Sequence, residues 1–137
     1  MSILIAEDNV AQRHYLREIL EKEFPSHQPI VEAADGEETV KLALEHKPEV
    51  CILDIQMPKL SGVKAARAIW REFPRARIIF WTQFPHEIYI NEIRKIVKIG
   101  RSAAGVRLHS QEQSRIALPA LRRCRARRRR RHDRSSV

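Results

Sequence analysis

Three carboxylic acids and a hydroxyl stand where short apolar runs end. Glu7 and Asp8 follow Ile3-Leu4-Ile5-Ala6, Asp54 follows Val50-Cys51-Ile52-Leu53, and Thr82 closes the run Arg77–Thr82. Brief runs rich in Ile and Val are what a buried strand requires. If those strands are parallel, their carboxyl ends share one edge of a sheet and the four side chains converge. Carboxylates held that close repel, and one is driven toward protonation. A divalent cation between them removes the conflict, and a donor set of oxygen alone suits Mg²⁺, which takes a few carboxylates and keeps several waters. A single acid at a strand end is most often merely solvated. Three from two strand ends, with a hydroxyl on the next, are harder to explain that way.

The elements needed to position these groups are legible. Residues 3–6, 30–34, 50–53 and 77–82 are the strand-like runs. Between them, apolar residues recur at helical spacing: Leu16, Ile19 and Leu20; then Val40, Ala43 and Leu44; then Val63, Ala66, Trp70 and Phe73. Asp35 followed by Glu38 is a capping-box pattern for the second helix, and Ser61 is placed to cap the third. Pro25, Pro48 and Pro74 follow the three stretches, where proline prevents helical continuation. A fourth stretch, 85–97, sets Tyr89, Ile93, Ile96 and Val97 on one face. Strands alternating with helices predict an α/β fold, a doubly wound parallel sheet with helices on both faces. In such sheets ligands sit beyond the carboxyl ends of the strands, where strand order reverses.

Other α/β chemistries lack their residues. The four glycines, at 36, 62, 100 and 105, form neither a dinucleotide-binding nor a P-loop pattern. Glu7-Asp8 after the first strand would repel a flavin phosphate. Gln56 stands where a haloacid-dehalogenase-type phosphatase needs a second Asp. The six histidines make no ligand pair, and Cys51 and Cys124 give no disulfide framework or paired metal spacing. No apolar stretch approaches the ~20 residues of a membrane span, and the first residues lack a signal-peptide core. The expectation is a cytoplasmic protein with no membrane partner.

Taken together, Glu7-Asp8, the run Asp54-Ile55-Gln56-Met57-Pro58 with Gly62, and Thr82 at the end of the fourth strand resemble the receiver domain of two-component response regulators over residues 2–97. The resemblance implies a flavodoxin-like sheet of strand order 2-1-3-4-5. It implies that Asp54 is the phosphoacceptor, taking a phosphoryl group from a sensor histidine kinase or phosphotransfer protein. Glu7, Asp8, Asp54 and the backbone carbonyl of Gln56 would hold Mg²⁺ (or Mn²⁺), the Thr82 hydroxyl would contact the phosphoryl group, and Met57, Pro58 and Gly62 would shape the loop after Asp54. Such a chain is a phosphoacceptor with self-phosphorylation and self-dephosphorylation chemistry rather than an enzyme acting on other molecules.

The last 37 residues are a different kind of sequence. Residues 1–100 carry 14 Lys and Arg against 15 Asp and Glu, whereas residues 101–137 carry 12 Arg, no Lys and two acids, so the net charge of +9 arises entirely from the end of the chain. No aromatic residue follows Tyr89 and no lysine follows Lys98, although the resemblance implies a fifth strand ending in lysine. The best fifth strand, 103–108, is interrupted by Gly105, and Arg107 is the available cation. A last helix over 111–118 is equally weak. The expected organisation is a receiver core at 1–97, an atypical or degraded fifth strand and last helix at 98–118, and a disordered Arg-rich tail at 119–137. Arginine has many GC-rich codons, so the expectation is a change of coding frame near 98–101 that leaves the receiver truncated or altered at its C-terminus. Two other functions compete: a single-domain receiver whose basic tail contacts nucleic acid by counterion release, and a degenerate receiver serving only as a protein-interaction module.

Overall fold

The computed structural model describes residues 2–26, 29–82, 87–96 and 107–110. Strands and helices alternate along the chain: β1 (Ile3–Ala6), α1 (Val10–Glu23), β2 (Ile30–Ala33), α2 (Gly36–His46), β3 (Val50–Asp54), α3 (Gly62–Glu72), β4 (Arg77–Thr82), α4 (Glu87–Ile96) and β5 (Arg107–Ser110). The strands form one sheet of order β2-β1-β3-β4-β5. All four pairings are parallel. Order reverses between β1 and β3, because the chain leaves β1 for β2 on one side and returns to β3 on the other.

Parallel strands buried on both faces need apolar residues of both parities, and this sheet has them. Ile3, Ile5, Val50, Ile52, Ile79 and Trp81 pack with Leu16, Leu20 and Phe24 of the α1 segment. The alternate residues Leu4, Ala6, Cys51, Leu53, Ile78 and Phe80 pack with Ala43 of α2, Val63, Ala66, Ile69 and Trp70 of α3, and Ile93 of α4. Among the described residues one helix covers the first face and three the second, so both faces carry helices and the sheet is doubly wound.

Each early helix starts on a side-chain cap. Asn9, Asp35 and Ser61 accept from the backbone N–H three residues ahead, at 3.0, 2.8 and 3.3 Å. Glu38 reaches back to the N–H of Ala34 at 3.0 Å rather than to that of Asp35, so the predicted capping box closes one residue earlier. Thr39 is fully buried, with its hydroxyl donating to the Asp35 carbonyl at 2.6 Å, while Val40 and Leu44 are half-buried. A satisfied hydroxyl can occupy a core position, and apolar periodicity alone does not register it.

Some boundaries differ from the sequence expectation. β2 stops at Ala33, and Asp54 belongs to β3 as its last residue. The fifth strand begins at Arg107, past Gly105, whereas the apolar count favoured 103–108. Residues 85, 86 and 97 of the expected fourth helix, the expected last helix at 111–118, and the Arg-rich segment 119–137 lie outside the described residues. No helix among the described residues is long and apolar enough to cross a membrane.

Trp70 fastens α3 to the start of β4: its buried indole N–H donates to the Ala76 carbonyl at 2.9 Å. Trp70→Phe keeps an aromatic ring but orphans that acceptor, a loss of about 1–3 kcal/mol. The expected result is a melting temperature lower by about 3–10 °C in circular dichroism melts.

Candidate functional site

β1 and β3 are neighbours in register, Ala6 opposite Leu53, so their carboxyl ends open side by side at the point where strand order reverses. Glu7 is the first residue beyond β1, and its N–H donates to the Ala33 carbonyl at 3.1 Å, extending the β1–β2 ladder by one bond. Asp54 is the last residue of β3. One carboxylate oxygen from each of Glu7, Asp8 and Asp54 lies within 4.8 Å of the others. Glu7 is only 4% exposed and Asp54 9%, whereas Asp8 is open to solvent.

Burial and crowding set the protonation. Burial is the largest influence on Glu7; the charge of Asp54 and hydrogen bonds with Asp54 and Asp8 add to it, the Asn9 N–H opposes it, and the carboxyl is pushed up to about 8. Asp54 is raised to about 6, again chiefly by burial, with hydrogen bonds from Glu7 and from the N–H groups of Gln56 and Ile55 working against the rise. Near neutral pH the pair therefore holds about one proton between its two carboxyls. Glu7 Oε1 accepts from the Asn9 N–H at 3.2 Å. Glu7 Oε2 is buried and has no hydrogen-bond partner among the described residues. A buried carboxylate oxygen without a donor, facing two further carboxylates, is the environment a hard cation fits. The cluster contains no softer ligand that would favour zinc or copper.

The loop after Asp54 is tied down at several points. The Gln56 N–H reaches Asp54 Oδ1 at 3.4 Å, and the Gly62 N–H donates to the Ile55 carbonyl at 2.8 Å. Met57 packs against the core beneath α2 and α3, and the Pro58 carbonyl accepts from Leu60 at 2.7 Å and from Gly36 at 3.2 Å. Lys59 takes a left-handed backbone, φ 66°, between them, and its ammonium pairs with Asp35 at 3.3 Å. A Cβ on Gly62 would lie 1.9 Å from the Asp54 carbonyl oxygen, and one on Gly36 would lie 1.9 Å from the Leu60 carbonyl oxygen. Glycine at 62 thus lets α3 begin directly against the backbone of Asp54.

Thr82 ends β4 one register row beyond the Asp54–Trp81 pair, and Ser110 of β5 lies opposite it. Arg107, the cation offered in place of the expected lysine, pairs with Ile79, which in turn pairs with Ile52. That puts it two rows toward the amino-terminal edge, roughly 6–7 Å along the strand from the row of Asp54. The strand starts later than the apolar count suggests, so its first residue is at the wrong end. Two contributors escape the apolar and acidic patterns altogether. Gly36 seats the loop through its missing side chain, and Arg13 of α1 donates from Nη1 to the Glu7 carbonyl at 2.7 Å.

Comparison with known proteins agrees with this architecture. A family model described as "Response regulator receiver domain" matches residues 3–100. The transcriptional regulatory protein DegU of Brevibacillus brevis is 30% identical over 95 residues, which are 69% of this chain and 40% of that protein. The transcriptional regulatory protein PdtaR of Mycobacterium tuberculosis is 43% identical over 67 residues, 49% of this chain and 32% of that protein. The chain thus spans well under half the length of the curated relatives it matches. Among solved structures, the N-terminal domain of an uncharacterized protein from Wolinella succinogenes superposes with a TM-score of 0.65 at 31% identity, covering 79% of this chain and 78% of that one. The signal receiver domain of the response regulator NarL from Mycobacterium tuberculosis shares the fold, with a TM-score of 0.70 at 22% identity over 90% of this chain and 95% of that one. With the sheet order, the acidic crevice and the family match in agreement, the chain belongs to the response regulator receiver domain family.

Proposed function

We propose that Asp54 accepts a phosphoryl group from a phosphohistidine on a sensor histidine kinase or a phosphotransfer protein, in two-component phosphorelay signalling. The observation that carries this reading is the crowding of Glu7, Asp8 and Asp54 within 4.8 Å at the switch point of a receiver sheet. An oxygen of ionised Asp54 attacks phosphorus as the N–P bond breaks. The imidazole leaves with the bonding electron pair, and Asp54 becomes an acyl phosphate. The residues that would hold the cation are Glu7, Asp8, Asp54 and the backbone carbonyl of Gln56. Mg²⁺ (or Mn²⁺) bound there would supply positive charge that offsets the carboxylates and the phosphoryl oxygens during transfer.

The chain's own residues prepare this step. The Gln56 and Ile55 N–H groups bias Asp54 toward the ionised form that attacks. The buried carboxyl of Glu7 holds the shared proton until a cation replaces it. Thr82, at the end of the neighbouring strand, is assigned the contact with the transferred group, and its register position supports that assignment. Gly62 and Pro58 fix the backbone on either side of the loop, so the acceptor does not drift as charge arrives. Residues 1–97 make up the unit that carries the chemistry.

Two outcomes follow. Incubation with a small acyl-phosphate donor and Mg²⁺ should label the unaltered chain and not Asp54→Asn, read by phosphate-affinity electrophoresis; equal labelling of both contradicts the assignment. The second outcome concerns pH. Folding raises the Glu7 carboxyl from 4.5 to about 8, so the folded chain binds more protons than the unfolded chain across that window. Stability of the metal-free protein is therefore highest below pH ~4.5 as far as this group is concerned, and falls as pH rises toward ~8. In melts with a chelator, the melting temperature should drop between pH ~5 and ~8.5, Glu7→Gln should flatten that drop, and Mg²⁺ should reverse it most strongly at the alkaline end.

A further inference from the structure

The turn that carries Glu7 and Asp8 is gripped from two sides. Toward the sheet, the Glu7 N–H is bound to the Ala33 carbonyl at 3.1 Å. Toward α1, the Glu7 carbonyl accepts from Arg13 Nη1 at 2.7 Å. The Arg13 side chain is mostly shielded, 18% exposed, and its Nε lies 3.6 Å from Glu32 on β2. Glu32 also binds Arg17 Nη1 at 2.6 Å, and Arg17 Nε lies 2.9 Å from Glu21. An ionic ladder therefore runs along α1 against β2, and its last rung ends on a backbone carbonyl instead of a carboxylate. That carbonyl belongs to the peptide joining Glu7 to Asp8, so its orientation sets where both carboxylates leave the chain.

We propose that Arg13 is a positioning residue for the divalent-cation site: by holding the Glu7 carbonyl it orients the Glu7–Asp8 peptide so that both carboxylates meet Asp54. This rests on the reading of the acidic cluster as a cation site, and it assigns a role to a side chain outside that cluster. The planar fork of arginine is what allows one group to face Glu32 and the Glu7 carbonyl together; an ammonium presents no such fork. The sign of the effect separates positioning from the alternatives. A guanidinium acting only as a nearby positive charge opposes cation binding, so its removal would tighten binding. A purely structural tie would change thermal stability and leave affinity unmoved.

The test is calorimetric Mg²⁺ titration of the full chain, paired with melts in chelator, for the unaltered protein, Arg13→Met, Arg13→Lys and Arg17→Met. Arg13→Met should weaken Mg²⁺ binding roughly tenfold, the low end for loss of a group supporting a metal ligand. Arg13→Lys should weaken it less, and Arg17→Met, which cuts the same ladder away from Glu7, should leave affinity unchanged. Unchanged or tighter binding by Arg13→Met overturns the proposal. If that variant does not fold, Arg13→Lys decides, with unchanged affinity again overturning it. Failure of the unaltered chain to bind Mg²⁺ at millimolar concentration instead overturns the cation site itself, and this proposal with it.

Discussion

Three carboxyl groups sharing a few ångströms at the edge of a parallel sheet form the constraint around which the rest of this molecule is arranged. Two of them, Glu7 and Asp54, are buried, and their mutual repulsion has no internal cation to relieve it among the described contacts. Only a bound proton or an external cation can settle the charge. This unfavourable arrangement persists because the sheet enforces it. β1 and β3 lie side by side in this doubly wound topology, so acids at the carboxyl ends of both strands are brought together. Local unfavourable energy of this kind, held in place by an over-determined scaffold, is what sites of chemistry commonly show.

The scaffold keeps the crowding through backbone contacts more than through side chains. Gly62 admits α3 against the Asp54 carbonyl, and Gly36 admits α2 against the Leu60 carbonyl, each where a methyl group would collide. The Glu7 peptide is held at its N–H by β2 and at its carbonyl by Arg13. Beyond their contacts with one another, the carboxylates of Glu7 and Asp54 are held only by backbone N–H groups, those of Asn9, Gln56 and Ile55. Oxygen atoms thus remain for a ligand, while the backbone that aims them is hydrogen-bonded on both sides.

Much of this was legible in the chain, because burial on both faces gives parallel strands an unbroken apolar run and acids immediately after such runs stand out. Asp54, Glu7 and Asp8 are visible for that reason, and the caps Asp35 and Ser61 are visible as short polar residues just ahead of a helical run. Arg13 is not visible: on a helix surface rich in charge it looks like any solvated arginine, and its partner is a carbonyl that carries no sequence signal. Gly36 likewise passes as the first residue after a cap, since the atom it must avoid lies in a loop 24 residues on. Thr39 is equally silent, because its burial depends on a hydroxyl bond to the Asp35 carbonyl. The place of Arg107 depends on register: β5 begins four residues later than the expected run 103–108, so Arg107 stands at its first position instead of near its carboxyl end. Local patterns announce which residues are apolar or acidic; they are silent on which backbone atom a distant side chain will hold.

The claim on which all of this turns is that the crowded carboxyls keep a proton a cation can displace. Proton release on Mg²⁺ binding, obtained by titration calorimetry in buffers of differing ionisation enthalpy, measures it directly. The account predicts release of about one proton per Mg²⁺ near pH 7, declining as pH rises past 8. Binding without proton release, or a release that is the same in Glu7→Gln, would contradict it.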